Sequence, residues 1–258
     1  MAEQKEQSNE KWEVLYWGLR NRGNWLRFLM QEAGVEWVDT KVSGANADTH
    51  YFRNISDGKA NPQNDFLPAM APPAIRKGNF FLNQSEVCIN YLAAEFKLLP
   101  VANTEEDSKR QALYSQQLLG NCNDLCREIY DQRGKDEQSV KAFFEGDGQK
   151  PSRFQKWLTI LETPLKVNNK EDTNEVYYFN QKFSYIDLMV FNVVEGLSEH
   201  LGKKFEEYTK AYPMLVKHFN CIAQRDSVKT VLAKQKELKY EWFSGQAFRD
   251  MQKQMGFV

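Results

Sequence analysis

The apolar pattern of this chain changes period once, and that change constrains the fold more than any other feature. Before residue 97, short strand-like runs alternate with amphipathic stretches. From Thr104 onward, apolar residues recur only at helical spacing. A chain of 258 residues is long enough for two modest domains, and the switch predicts where they divide.

The first part begins with WEVLYW, Trp12 to Trp17, which reads as a strand with Val14 and Tyr16 on one face and Leu15 and Trp17 on the other. A loop, GLRNRGN, follows. Then comes WLRFLMQEAG, whose apolar residues fall on one helical stripe and whose Gly34 fits a left-handed stop. VEWVDTKV, 35 to 42, is a second strand. Strand, helix, strand implies a parallel pair joined by a right-handed crossover. Residues 43 to 70 form a polar excursion, with one short helix expected at 48–54. Ala74 to Arg76 and Phe80 to Leu82 flank the turn Lys77-Gly78-Asn79 as a hairpin. Gln84-Ser85 opens another helix, with Cys88, Tyr91, Leu92 and Phe96 along one face.

The second part opens with a cap-like TEED at 104–107 and a long helix to about Gln132, its seam being Leu118, Cys122, Leu125 and Ile129. Further helices are expected over Ser152 to Leu165, Ser184 to His200, Tyr212 to Arg225 and Ser227 to Lys236. Ser184 and Asp187 form an S-x-x-D capping box. Residues 133 to 150 read as a mobile loop or a frayed helix end. The resulting divisions are a polar tail (1–11), an α/β domain (12–97), a linker (98–107), an all-α domain (108–236) and a C-terminal extension (237–258).

Charge and composition exclude several functions. Basic and acidic residues nearly cancel, to a formal −1, so nothing favours a nucleic-acid partner. No apolar run reaches membrane-spanning length, and residues 1–11 lack the apolar core of a signal peptide. A cytoplasmic location is the resulting expectation. The four cysteines (Cys88, Cys122, Cys126, Cys221) form no C-x-x-C pair, and the three histidines are scattered. Reduced, buried thiols and no metal site are therefore expected. Six Trp, eleven Tyr and seventeen Phe suggest an aromatic-lined pocket.

An α/β domain of this order followed by a helical domain resembles the cytosolic glutathione transferases, which join a thioredoxin-like domain to a helical bundle. VLYWGLRNRGNWLRFLM is similar to the opening of their tyrosine-type classes (mu, pi, alpha and sigma). There a strand ends in Tyr, here Tyr16, with arginines at Arg20 and Arg27. The resemblance implies that Tyr16 is catalytic. A thiol with pKa about 8.5 is mostly protonated at neutral pH, and a phenol O–H donated to sulfur stabilises the thiolate. Asn21 to Asn24 contains no Ser or Cys, which disfavours the serine- and cysteine-type chemistries of the family.

APPAIRKGNFFLNQSEVCINYLA is similar to the family's cis-proline, hairpin and Gln-Ser segment. Pro73 is the expected cis proline, with cis geometry at Pro72 and contact through Ala71 as the alternative. By the same resemblance Gln84 and Ser85 hold the γ-glutamyl end of glutathione, with Ser85 at a helix N-terminus that favours a carboxylate. The residue before the cis proline normally offers both N–H and C=O to the cysteinyl part of glutathione; Pro72 has no N–H. NCNDLCREI resembles the stretch whose Asp, here Asp124, reaches glutathione across a dimer interface. Tyr51 and Arg53 lie in the excursion where the family's glycyl contacts fall.

The implied activity is a detoxifying transfer of the glutathione thiolate to a hydrophobic electrophile. Glutathione is the co-substrate, no metal takes part and the assembly is a homodimer. The alternatives are a non-catalytic binding or structural protein on the same fold and a glutathione-dependent isomerase. The extension after Leu238, with Trp242, Phe243 and Phe248, is expected either to brace the helical domain or to cover the electrophile site through Phe248 and Met251.

Overall fold

The computed structural model describes residues 10–43, 69, 71–170, 173, 175–179 and 181–257. The helix expected at 48–54, with Tyr51 and Arg53, lies outside the described residues.

Strands β1 (Trp12–Tyr16) and β2 (Trp37–Lys41) pair in parallel around helix α1 (Asn21–Glu32). The hairpin β3 (Ala74–Lys77) and β4 (Phe80–Asn83) completes a four-stranded sheet of order β2-β1-β3-β4. β3 runs antiparallel to both of its neighbours. Helix α2 (Ser85–Glu95) follows. The sheet is apolar on both faces because both are covered. Trp12, Val14 and Ile75 join the main core with Trp25, Leu29, Cys88 and Leu92. Leu15, Ala74 and Phe81 pack on the other side with Val42 and Ala69.

Helix α1 begins four residues before its apolar stripe, at Asn21, so most of the expected loop is helical. Its first turn is fixed by tertiary bonds rather than a cap: the Asn192 amide donates to the Asn21 carbonyl at 3.1 Å. Gly34 stops it with φ +64°, the left-handed region open to glycine.

The rest of the chain is helical: α3 (Glu105–Tyr130), α4 (Glu137–Phe144), α5 (Arg153–Asn168), α6 (Tyr185–Leu201), α7 (Phe205–Thr209), α8 (Pro213–Ala223), α9 (Asp226–Glu237) and α10 (Gln246–Gln254). Thr104 caps α3 by accepting from the Asp107 N–H at 3.1 Å. Ser152 and Gln155 form a reciprocal capping box on α5. Helix α6 is buried nearly all round, as its composition requires. At its start the Asp187 carboxylate accepts from the Ser184 N–H at 2.8 Å and the Tyr178 N–H at 3.0 Å, with His218 Nε2 at 3.1 Å.

The stretch 133–150 is corrected by the structure. It contains α4, capped by Asp136, which accepts from the Ser139 N–H at 2.9 Å, and anchored by buried Val140, Phe143 and Phe144. These three apolar residues lie on one helical face, so burial rather than length stabilises this helix.

The two halves meet where α1 packs on α6 and α9. The Trp25 indole donates to the Met189 carbonyl at 3.1 Å, the amides of Asn24 and Gln235 pair face to face, and Arg225 pairs with Glu32.

Candidate active site

Three stretches singled out in the sequence come to one end of the sheet because of its register. Leu15 pairs with Ala74, and Ala74 pairs with Asn83. Tyr16 at the end of β1, Pro73 just before β3, and Gln84-Ser85 just after β4 therefore share that edge. The Pro72–Pro73 bond is cis. The Asn83 amide holds the loop by donating to the Ala71 carbonyl at 2.7 Å and the Pro73 carbonyl at 2.9 Å. Gln84 takes the cap position of α2 with φ +74°, and Ser85 is the first helical residue, buried beneath it. A positive φ at a non-glycine marks a residue held by its surroundings.

Tyr16 is almost fully buried, 6% exposed. Its ring lies against Gly23 so closely that a Cβ there would come within 2.3 Å of it. Burial pushes its pKa up to about 12, against the opposing pull of the Arg22 and Arg27 charges and of the Arg22 backbone N–H that faces the phenol oxygen. At neutral pH Tyr16 is therefore a proton donor, not a phenolate.

The arginines near Tyr16 divide by role. Arg27 is 1% exposed and acts as a pin: it donates to the Leu19 carbonyl at 2.7 Å, Asn24 at 3.0 Å and Asp39 at 3.0 Å. Arg20 turns away toward α6, pairing with Glu195 at 2.6 Å and with Glu199. Arg22, on the first turn of α1, faces the cleft. Sequence reasoning passed over it because three arginines of one type lie within eight residues, and only the distant Glu195 and Glu199 decide which turns inward.

The cleft has a volume of about 360 Å3 and is lined from both halves of the molecule. Tyr16, Trp17, Leu19, Asn21 and Arg22 come from the α/β part, Cys126, Arg127 and Tyr130 from α3, and Phe243 and Ser244 from the extension. The Cys126 thiol is pushed up to about 12 by burial and stays protonated. All four cysteines are free.

One expected placement, that of the extension over the electrophile site, differs. Phe248 and Met251 do not line this cleft; both are buried, 3% and 2% exposed, and Phe248 stacks behind Phe243 with ring centroids 4.7 Å apart. Phe243 and Ser244, the residues where the chain crosses from α9 to α10, take that place. Asp124 sits on α3 two residues from Cys126 but is exposed and outside the cleft lining. Among the described residues no group of three or more His, Cys, Asp or Glu side chains gathers as a metal site would need, and no helix is long and apolar enough to cross a membrane.

Residues 123–235 match the family model of the glutathione S-transferase C-terminal domain. The chain is 23% identical over 229 residues to a glutathione S-transferase of Plasmodium falciparum, covering 88% of this chain and 97% of that protein. It is 22% identical over 222 residues to one of Plasmodium yoelii yoelii, covering 86% and 92%. Among solved structures, the fold is similar to a Pi-class glutathione S-transferase of Onchocerca volvulus, with TM-score 0.69 at 12% identity over 91% of this chain and 98% of that one. It is also similar to the glutathione S-transferase of Ascaris lumbricoides, with TM-score 0.65 at 17% identity over 87% and 97%.

Proposed function

The chain belongs to the glutathione transferase superfamily, and from that premise we propose that it transfers the glutathione thiolate to a small electrophile, using Tyr16 as the thiolate-stabilising donor. One observation carries this reading: a protonated phenol stands at the cleft, on the sheet edge shared with Ser85. Residues 12–97 would hold glutathione, 98–107 would link them to the helical domain of 108–236, and the extension 237–258 would close the cleft.

In this reading Ser85 and the N-terminus of α2 take the γ-glutamyl carboxylate, with Gln84 beside them. Pro72 supplies its carbonyl to the cysteinyl N–H but has no N–H to return. When the thiol proton leaves for solvent, Tyr16 donates its O–H to the sulfur and the Arg22 cation adds to the stabilisation. Each unit by which the thiol pKa falls is worth about 1.36 kcal/mol. The thiolate then attacks an electrophilic carbon held against Tyr130 and Phe243. Four free cysteines fit a reducing, cytoplasmic location.

Replacing Tyr16 with Phe tests this. Turnover should fall on the order of tenfold to a hundredfold, and the rising limb of the pH–rate profile should move up by about one to two units. The KM for glutathione should stay the same. Equal activity and an unmoved profile would remove Tyr16 from the mechanism. Pro72 favours one second reading, a binding protein without catalysis. Glutathione binding by calorimetry in the absence of any turnover would select it.

A further inference from the structure

The cleft beside Tyr16 carries a charge pattern that thiolate chemistry alone does not use. Its described lining contains four aromatic side chains, Tyr16, Trp17, Tyr130 and Phe243, and two cations, Arg22 and Arg127, with no carboxylate among them. The chain as a whole has slightly more acid than base, so this positive charge is local.

The two cations are not equivalent. Arg22 lines the cleft with Tyr16 and Cys126, and its charge acts on both the phenol and the thiol, where the sulfur of glutathione would arrive. Arg127 lies at the other wall, on α3, one turn before Tyr130. Its neighbour in charge is Asp131, with Nε and carboxylate 3.8 Å apart and both side chains more than half exposed. Such an exposed pair within one helix is weak, and a ligand anion can replace it at little cost. Tyr130 and Phe243 stand 5.6 Å apart beside it. The Arg133 guanidinium lies 3.3 Å from the Tyr130 ring centroid. A flat ring resting on Phe243 and Tyr130 would thus meet a cationic edge. A wholly apolar ligand would strip water from the guanidinium and return nothing.

We propose that the preferred electrophile is a small aromatic or conjugated compound carrying one carboxylate or similar anionic group, with Arg127 as the residue that determines this specificity. The inference rests on the conjugation reading for its reaction. The site itself, an aromatic shelf with a cationic edge, does not depend on it.

The test compares a chlorodinitrobenzoate with the matching chlorodinitrobenzamide. Both lose chloride to the attacking sulfur and have the same shape, and they differ in charge. After correction for the uncatalysed reaction with glutathione, kcat/KM should favour the benzoate by about tenfold, or 1.36 kcal/mol. Arg127→Gln should lower kcat/KM for the benzoate about tenfold more than for the benzamide, so that the preference disappears. Added salt should reduce the preference in the parent and not in the variant. Equal handling of the two compounds by the parent, or an undiminished preference in Arg127→Gln, would overturn the proposal. So would a rise in the KM for glutathione with the preference intact, because Arg127 would then serve glutathione.

If neither compound is turned over, the conjugation reading fails by itself. The two pre-formed glutathione conjugates, titrated by calorimetry, then decide the site. Tighter binding of the carboxylate conjugate, lost in Arg127→Gln, would sustain the anionic specificity, and equal Kd values would end it.

Discussion

His200 shows how one side chain can set the acid limit of this fold. It lies in an aromatic box, with ring centroids 5.7 Å from Phe257, 6.2 Å from Phe248, 6.3 Å from Trp242 and 6.4 Å from Phe144. Its Nε2 has no hydrogen-bond partner among the described residues. Burial pushes its pKa down to about 4, while an unfolded histidine titrates near 6.5. Between those values the unfolded chain binds more protons than the folded one. The neutral ring's contribution is therefore complete above pH 6.5 and is lost as pH falls toward 4, an amount on the order of 3 kcal/mol. The melting temperature of the parent should fall across that window more steeply than that of His200→Leu, as followed by circular dichroism. Parallel slopes would show that His200 is not the group responsible. The arginines teach a related lesson about what a sequence can reveal. Arg20 and Arg22 are two positions apart and chemically identical, and their fates differ because Arg20 finds Glu195, 175 positions away. No local pattern encodes that partner, so Arg22 was not legible as a cleft residue, whereas Tyr16, Pro73 and Ser85 sit in segments whose order places them on one sheet edge.

At the scale of elements, legibility followed length and punctuation. The helices α3, α5, α6, α8 and α9 have long periodic faces, several with capping residues at their starts, and the short strands of the hairpin are bounded by Pro72-Pro73 and the Lys77-Gly78-Asn79 turn. Helix α4 is eight residues long, too short a window for a 3.6 period to stand out. Helix α1 starts without a side-chain cap, so its first turn looked like loop. The extension was legible as apolar but not in its path. It is both brace and wall. Trp242 is 1% exposed and lies over Gly196 of α6, where any Cβ would come within 2.0 Å of the indole. Glu241 bridges to Leu19, and its carbonyl accepts from the Arg20 N–H at 2.9 Å, tying the loop after β1 to the helical half. Phe257 is buried in the His200 box. Phe243, next to Trp242 in the chain, faces the cleft. The two roles separate by substitution. Trp242→Ala should lower stability by about 3–5 kcal/mol, as large aromatic deletions in cores do. Phe243→Ala should raise the KM for an aromatic electrophile several-fold with little change in melting temperature. Truncation after Leu238 should do both. A truncated chain that melts with the parent would reject the brace, and unchanged electrophile kinetics in Phe243→Ala would reject the wall.

At the scale of the whole molecule, the outward face of α3 carries exposed apolar side chains. Leu113 and Tyr114 are 64% and 53% exposed, and Leu113, Gln117, Asn121 and Asp124 fall on one stripe of the helix. Between this stripe and α5 runs a groove of about 640 Å3, which Tyr114, Leu118, Ile160 and Val167 line with apolar surface. The hairpin and α2 add Phe80 and Tyr91, tilted against each other with ring centroids 4.9 Å apart yet both more than a third exposed. Apolar side chains scattered singly need no explanation, but Leu113 with Tyr114 on one long helix, and Phe80 with Tyr91 beside one hairpin, form two exposed groups. A second copy of the chain, related by a two-fold axis, would place the hairpin of one protomer on α3 of the other and satisfy both surfaces at once. It would also give exposed Asp124 a purpose, because a carboxylate outside its own cleft could reach the amine of glutathione bound by the partner. Light scattering at micromolar concentration should therefore return twice the chain mass, and Leu113→Glu with Tyr114→Glu should halve it. Asp124→Ala should weaken glutathione binding by about 1 kcal/mol in the dimer and have no effect in the monomeric double variant. A parent protein that is monomeric, or an Asp124 effect that persists in the monomer, would show that each chain completes its own site.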